Sequence, residues 1–462
     1  MRLSLVEVLE ATRGCLVGGR RDVEFRDYHV DSRAVTPGGL FFALRGAVRD
    51  GHEFCADAVA RGAGGLVVER PTAPGHLGEV AVVRVEDTWR ALYALATQVL
   101  RRVSPLVVGI TGSNGKTSTR EMTAAVLSAR HRVLRSEGNL NTETGVPLTL
   151  LRLRPEHTAA VIEMGMQRAG EIARLAGLAR PRVGVVTMIG SVHMEFFASR
   201  DQLARAKGEL VQALPTDGLA VLNADDPYFD LLRELSPAPV VGFGLEAGQL
   251  RGRDYRPLPE GGAAFSVEGV PVRLALNGRH QVRNALAALA VGRYVGVPLA
   301  EGAAMLAGVG VEHRLQEHRL PGGCTLIDDA YNASPESMLA AFEAIAERPR
   351  RGRLLALLGP MAELGHLSAE AHREVGRRAG ALFDRVAVLD SGDGRLLAEA
   401  ARGELLGDRL EALRWLREAV RPGDLVLVKG SHGAALHEVV NDLLDDLKSE
   451  SQVSGGSTCC ST

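Results

Sequence analysis

Strand-length apolar runs alternate with longer segments whose apolar residues recur every three or four positions, and this alternation predicts βαβ units built on parallel sheets. The most regular unit spans residues 105–127. There Pro-Leu-Val-Val-Gly-Ile-Thr leads into Gly-Ser-Asn-Gly-Lys-Thr-Ser-Thr and then Arg-Glu-Met-Thr-Ala-Ala-Val-Leu, which reads as strand, glycine-bearing loop and helix. Apolar runs at 133–135, 159–162, 183–187, 218–222 and 240–244 predict further strands, with helices expected over 171–179 and 199–214. Residues 253–277 switch to strict alternation, the pattern of antiparallel strands, with a hairpin turn at Glu268-Gly269. An alanine-rich helix is expected over 285–291, with Asn284 at its start. A last series of strands at 324–327, 353–358, 385–389 and 424–428 alternates again with helical segments.

Residues 1–104 consist of short apolar runs between glycine-rich turns and read as a small α/β domain. Its final helix, 88–100, should stop before Pro105, because the residue preceding a proline is disfavoured in helical conformation. The predicted divisions are 1–104, 105–315 and 316–450, with 451–462 a disordered tail of Ser, Gly, Thr and Cys. A length of 462 residues agrees with about three domains of ordinary size.

Composition narrows the function classes. Fifty-four Lys and Arg stand against 56 Asp and Glu, so no global positive field draws the chain to nucleic acid or to an anionic membrane. No apolar run reaches the length of a membrane span, and the amphipathic start, Met-Arg-Leu-Ser-Leu-Val-Glu-Val-Leu-Glu, is not a secretory segment. Cysteines at 15, 55, 324, 459 and 460 have neither metal-binding spacing nor an even disulfide framework. A reducing, cytoplasmic location is expected, with no nucleic-acid partner and no membrane span.

The candidate chemistry begins at the loop Gly112-Ser113-Asn114-Gly115-Lys116-Thr117-Ser118. Glycines let backbone N–H groups turn toward an anion, the following helix adds the positive end of its dipole, and Lys116 supplies charge to terminal phosphates. Thr117 or Ser118 would hold the accompanying magnesium. Gly109 is one residue too early for the usual phosphate-loop spacing. Glu163, at a strand end, is a candidate magnesium ligand. His193 suits a metal, a carboxylate partner or a plain loop position. Lys207 reads as a solvated helix lysine, and Asn284 as either a purine-edge reader or a helix cap. Ser32 and Arg33 suit a phosphate or carboxylate, or else a solvated turn.

Asp31-Ser32-Arg33, Thr111-Gly-Ser-Asn-Gly-Lys-Thr-Ser, Gly138-Asn-Leu-Asn, Gly145-Val-Pro, Glu163-Met-Gly, His193-Met-Glu, Lys207-Gly-Glu, Asp328-Asp-Ala-Tyr-Asn and Leu364-Gly occur in one order along the chain. In these segments the chain resembles the Mur ligase family, and within it the members that add D-alanyl-D-alanine. The resemblance implies an α/β, three-domain architecture with a central P-loop ATPase domain and a C-terminal Rossmann-like domain. It implies an ATP-dependent amide ligase using ATP and Mg2+, two ions, with UDP-N-acetylmuramoyl-tripeptide and D-Ala-D-Ala as substrates, acting as a monomer. Lys116, Glu163, His193 and Lys207 would be catalytic, Lys207 as a carbamate. Metal ligands would be Thr117, Glu163 and His193. Asn284, Arg314 and Asp329 would join the phosphate loop in holding ATP. Ser32, Arg33, Asn139, Asn141, Thr142, Asn332, Met361 and Glu363 would bind the other substrates.

Three positions depart from the family pattern. Met188 and Ser334 stand where asparagine is usual, and Pro360 stands where aspartate precedes methionine, which removes an anion and a backbone N–H. Glu312-His313-Arg314-Leu315 also resembles earlier ligases of the pathway. These departures leave a different amino acid or acyl acceptor as the alternative. A nucleotide-binding interaction module without catalysis is the alternative of another class.

Overall fold

The computed structural model describes residues 1–70, 79–259, 261–348 and 351–455. Three large sheets follow one another along the chain. The first has five strands in the order Cys15–Gly18, Ala81–Arg84, Gly65–Val68, Leu40–Phe42, Tyr28–His29, parallel except for the edge strand Cys15–Gly18. The second, wholly parallel, has seven in the order Leu250–Arg251, Val240–Gly244, Leu219–Asn223, Val183–Val186, Leu106–Thr111, Ala159–Glu163, Val133–Arg135. The third has six, with Thr325–Asp329, Leu425–Lys429, Leu354–Leu358, Arg385–Leu389 and Glu404–Leu406 parallel behind the antiparallel edge Gln316–Arg319.

A parallel sheet covered on both faces needs apolar residues at successive positions, and the central strands satisfy this in alternation. Val108, Ile110, Val161 and Val185 pack with Met122 and Val126 of helix Lys116–Ser128 and with Leu286 and Leu289 of helix Arg279–Tyr294. Val107, Ala160 and Ile162 face the other way, onto Ile172 and Leu175 of helix Glu171–Ala179 and Leu203 and Leu210 of helix Arg200–Gln212. The same core continues into the first domain through Leu92, Leu95, Ala96 and Val99 of helix Thr88–Val103. That helix is capped by the Asp87 side chain on the Arg90 N–H. It extends past the expected residue 100 because the restriction from Pro105 falls only on Ser104, which turns into the left-handed region at φ 48°.

The antiparallel strands expected over 253–277 are Arg253–Pro257, Ala263–Val267 and Val270–Leu274. Their turn is at Glu268 and Gly269, both at positive φ, the geometry of a tight primed hairpin. Two expectations shift. The alanine-rich helix starts at Arg279 after Gly278 (φ 102°), so Asn284 sits in its second turn and is not its cap. The polar, glycine-punctuated stretch from Ser136 to Pro147, which by composition reads as one long loop, becomes helix at Gly145, with Pro147 in the first turn, where a missing N–H is harmless. The edge strand Gln316–Arg319 was not foreseen because Gln-Glu-His-Arg carries no apolar signal. The terminal helix Leu436–Gly455 runs into the expected tail, whose residues 456–462 lie outside the described ones.

Leu95 is fully buried in the core that joins the first two domains. Leu95→Ala is expected to cost about 2–5 kcal/mol, read as a lower urea midpoint of the full chain.

Candidate active site

Strand Leu106–Thr111 lies between Ala159–Glu163 and Val183–Val186, and the chain leaves it over opposite faces of the sheet, which opens a crevice at its carboxyl end. The phosphate loop fills that end. Gly112 (φ 145°) and Gly115 (φ 82°) adopt conformations that disfavour side chains. Neither has room for one: an added Cβ would meet Thr187 Oγ1 at 1.9 Å and Asn284 Oδ1 at 2.6 Å. Thr187 Oγ1 donates to the Asn114 carbonyl (2.5 Å), which pins the loop to the neighbouring strand end. The helix begins at Lys116, and its Nζ folds back to donate to the carbonyls of Gly112 (2.9 Å) and Ser113 (3.2 Å). Burial holds Lys116 below the ordinary lysine value, with Glu163 opposing and Arg314 reinforcing.

Two cavities meet at this loop. One, of about 560 Å3, is lined by Lys116, Thr117, Asn141, Thr142, Glu163, His193, Arg314 and Asn332. The other, of about 420 Å3, is lined by Ser118, Thr187, Met188, Asn284, Arg314 and Asp329, among others. Asn114, Gly115, Thr117 and Arg314 border both, so the loop is a partition with an opening on each side.

Glu163 is the anionic centre of the first cavity. Its Oε1 accepts from Asn141 Nδ2 (2.8 Å), and its Oε2 accepts from Thr117 Oγ1 (3.1 Å) and Arg120 (3.0 Å). Glu163 and Arg120 are almost wholly buried, at 2% and 4% exposure. A hydroxyl and one carboxylate at a phosphate loop make a sparse oxygen set, and such a set fits Mg2+, which usually keeps waters and phosphate oxygens as its other ligands. Among the described residues no cluster of three His, Cys, Asp or Glu forms an all-protein cage.

His193 borders the same cavity at φ 70°, its Nδ1 2.5 Å from Glu363 Oε2. Glu363 also accepts from Gln167 Nε2 (3.2 Å), and its carbonyl accepts from the Glu195 N–H (3.2 Å), so this third-domain residue grips the middle domain. Burial lowers the His193 pKa, with Glu363 opposing; the His193 contact in turn holds the Glu363 carboxyl below its ordinary value. Lys207 is 1% exposed, not solvated. It has no anionic partner among the described residues, and burial, then Lys116, drive its pKa well below the ordinary value.

Around the second cavity, Asn284 accepts from Thr119 Oγ1 (3.2 Å) and donates to Gln281 (3.0 Å). The Arg314 guanidinium stacks over Tyr331, 4.4 Å from the ring centroid. Asp329 pairs with buried Lys429 at 2.6 Å, and Lys429 also donates to the Asn332 carbonyl (3.0 Å). His280, unremarked in the sequence, is half-buried at the wall of this cavity, and burial pushes its pKa down to about 4.

Five expected substrate residues lie outside the linings of both cavities, Glu363 among them although it touches His193. Arg33 is exposed and forked onto Asp31, Ser32 is buried beside Asp57, Asn139 is exposed, and Met361 packs into the third-domain core. The departures have structural roles of their own. Ser334 caps helix Pro335–Ala346 and hydrogen-bonds Asn114 across the domain boundary (3.0 Å). The Pro360 carbonyl accepts from the Ser431 N–H (3.0 Å), and Met188 lines the second cavity. Arg120, Thr187, Tyr331 and Lys429 were missed. Lys207 was misplaced although it falls in register with Leu203 and Leu210, an apolar stripe that signals burial.

Family models match the chain in three consecutive blocks: the Mur ligase family catalytic domain over 26–99, the Mur ligase middle domain over 110–292, and the Mur ligase glutamate ligase domain over 313–432. The UDP-N-acetylmuramoyl-tripeptide–D-alanyl-D-alanine ligase of Escherichia coli is 37% identical over 457 residues, covering 96% of this chain and 99% of that one. Its Bacillus subtilis counterpart is 36% identical over 431 residues, covering 90% and 92%. Among solved structures, a MurF of Acinetobacter baumannii superposes with a TM-score of 0.87 at 31% identity, covering 96% and 99%. The MurF ligase of Thermotoga maritima in complex with ADP gives 0.81 at 31% identity, covering 92% and 98%.

A buried lysine with a depressed pKa costs stability at every pH below its unfolded pKa, as a buried charge or as a proton given up on folding. Lys207→Met is therefore expected to raise the melting temperature in bicarbonate-free buffer. The gain should be full below the folded pKa of Lys207 and vanish as the pH rises through the unfolded value of about 10.5. Melting curves across that range check it.

Proposed function

The chain belongs to the Mur ligase family, and on that premise we propose that it is an ATP-dependent ligase joining D-alanyl-D-alanine to UDP-N-acetylmuramoyl-tripeptide. The observation that carries the reading is the phosphate loop standing as a partition between two cavities. One side takes the nucleoside of ATP, and the other takes the carboxylate to be activated and the amine that follows.

A carboxylate is a poor acyl donor. Its oxygen attacks the γ-phosphorus of ATP, the bond to ADP breaks, and an acyl phosphate forms. The amine of D-Ala-D-Ala then attacks the acyl carbon, inorganic phosphate leaves and the amide remains. No protein nucleophile enters either step. Two anions must be brought together first, and Lys116 and Arg314, which line the cavity, are the cations placed to offset their charge. Lys116 would leave the loop carbonyls it now caps and follow charge onto the transferring phosphoryl group.

Thr117, Glu163 and His193 are the residues that would hold magnesium, as two ions, and the metal would neutralise phosphate charge when bound. The depressed pKa of Lys207 supplies the neutral amine that reacts with carbon dioxide, so a carbamate there would turn an unpaired buried cation into an anion facing Lys116. Asn284, Arg314 and Asp329 would hold the nucleoside and phosphates, and Asn141, Thr142, Asn332 and Glu363 the acyl and amine substrates. Ser32 and Arg33 would meet the uridine nucleotide on the first domain. No described helix is long and apolar enough to cross a membrane, and we place the enzyme in the cytoplasm as a monomer.

Phosphate release measured with ATP, the muramoyl tripeptide nucleotide and a panel of amines tests the assignment. Release is expected with D-Ala-D-Ala; strong release only with another amine would overturn the substrate and keep the reaction class. Lys116→Ala is expected to lower kcat by about 10²–10³-fold or more. Lys207→Ala should lose activity and regain part of it with a short carboxylic acid, whereas wild-type turnover in that variant would refute the carbamate.

A further inference from the structure

We propose that Arg120 is a positioning residue: it sets the Glu163 carboxylate for the metal–nucleotide complex and anchors the loop that carries Asn141 to the same point. The inference rests on the reading of Glu163 as a magnesium ligand.

Arg120 lies on the helix that starts at the phosphate loop and is 4% exposed, a burial arginine tolerates only when paired. One terminal nitrogen donates both to Glu163 Oε2 and to the Gly138 carbonyl, each at 3.0 Å. Nε and the other terminal nitrogen donate to Glu121 Oε1, at 3.1 and 2.8 Å. Glu121 is itself held by Arg135 at 2.8 Å. The fork is therefore engaged on both arms and has no freedom to turn. This fixed group shares Oε2 of Glu163 with the Thr117 hydroxyl, while Asn141 occupies Oε1. Without Arg120 the carboxylate would keep only neutral hydrogen-bond donors, since the Lys116 ammonium is turned to the loop carbonyls. Lysine at 120 would keep the charge but present a single point in place of the fork.

The test uses the full-length protein and calorimetric ADP binding at a series of Mg2+ concentrations, a readout independent of turnover. Arg120→Lys should raise the Mg2+ needed for half-maximal ADP binding by about 10–100-fold, with ADP affinity in the absence of Mg2+ unchanged. In a Glu163→Gln background the same substitution should add less than about twofold, because Arg120 acts through that carboxylate. Arg120→Met should raise the Mg2+ requirement beyond the lysine variant, and Arg120→Lys carries the test if the methionine variant does not fold. A folded Arg120→Lys protein with a wild-type Mg2+ midpoint overturns the proposal. So does an Arg120→Lys loss of equal size in both backgrounds. Glu163→Gln with a wild-type Mg2+ midpoint overturns instead the metal reading of Glu163, and the proposal with it.

Discussion

One buried carboxylate organises the site. Glu163 draws Arg120 and Thr117 from the phosphate-loop helix and Asn141 from the loop before helix Gly145–Leu151, and its own N–H donates to Ser136 Oγ (3.2 Å). Burying such a group without partners costs several kcal/mol, so once the parallel sheet puts Glu163 at its carboxyl rim the neighbours are obliged to converge on it. Its strand pairs residue for residue with Leu106–Thr111, Glu163 opposite Ile110, which sets the carboxylate level with the start of the glycine loop. Backbone register thus fixes the spacing between a charge and the loop it serves.

The surrounding charge is unbalanced, and the imbalance points outward. Arg120 is neutralised by Glu163 and Glu121, and Lys429 by Asp329. Lys116 donates only to carbonyls, and Lys207 faces no anion among the described residues. Burial favours the neutral form of Lys207 and lowers the pKa of Lys116 as well.

Element order was legible because period and glycine position are local properties. Strand ends, the Glu268-Gly269 turn and the phosphate loop follow from a few adjacent residues each. What escaped was long-range or lacked an apolar signal. Asn114 and Ser334 are 220 residues apart, and no periodicity announces that a serine capping one helix also touches a loop in another domain. Arg120 lies on a helix face that opens with Lys116 and Thr117 and turns apolar only at Ala124 and Leu127, so its burial is masked at the phosphate-loop end. Lys207 is different: its register with Leu203 and Leu210 was readable, and a prior that lysines are solvated overrode it.

The third domain reaches the middle one through polar contacts, and this bears on how the two cavities work together. Glu363 holds His193 and Gln167, Ser334 meets Asn114, and Glu336 accepts from Ser191, which also receives Arg200 at 2.6 Å. Between the first and middle domains the contact is instead a shared hydrophobic core through helix Thr88–Val103. An apolar interface of that kind resists separation, whereas exchangeable hydrogen bonds around a water-accessible cleft cost little to break and remake. The chain enters the third domain through residues 313–315, where His313 and Leu315 both lie at positive φ on either side of Arg314, so the backbone turn that ends the middle domain also presents the side chain that borders both cavities.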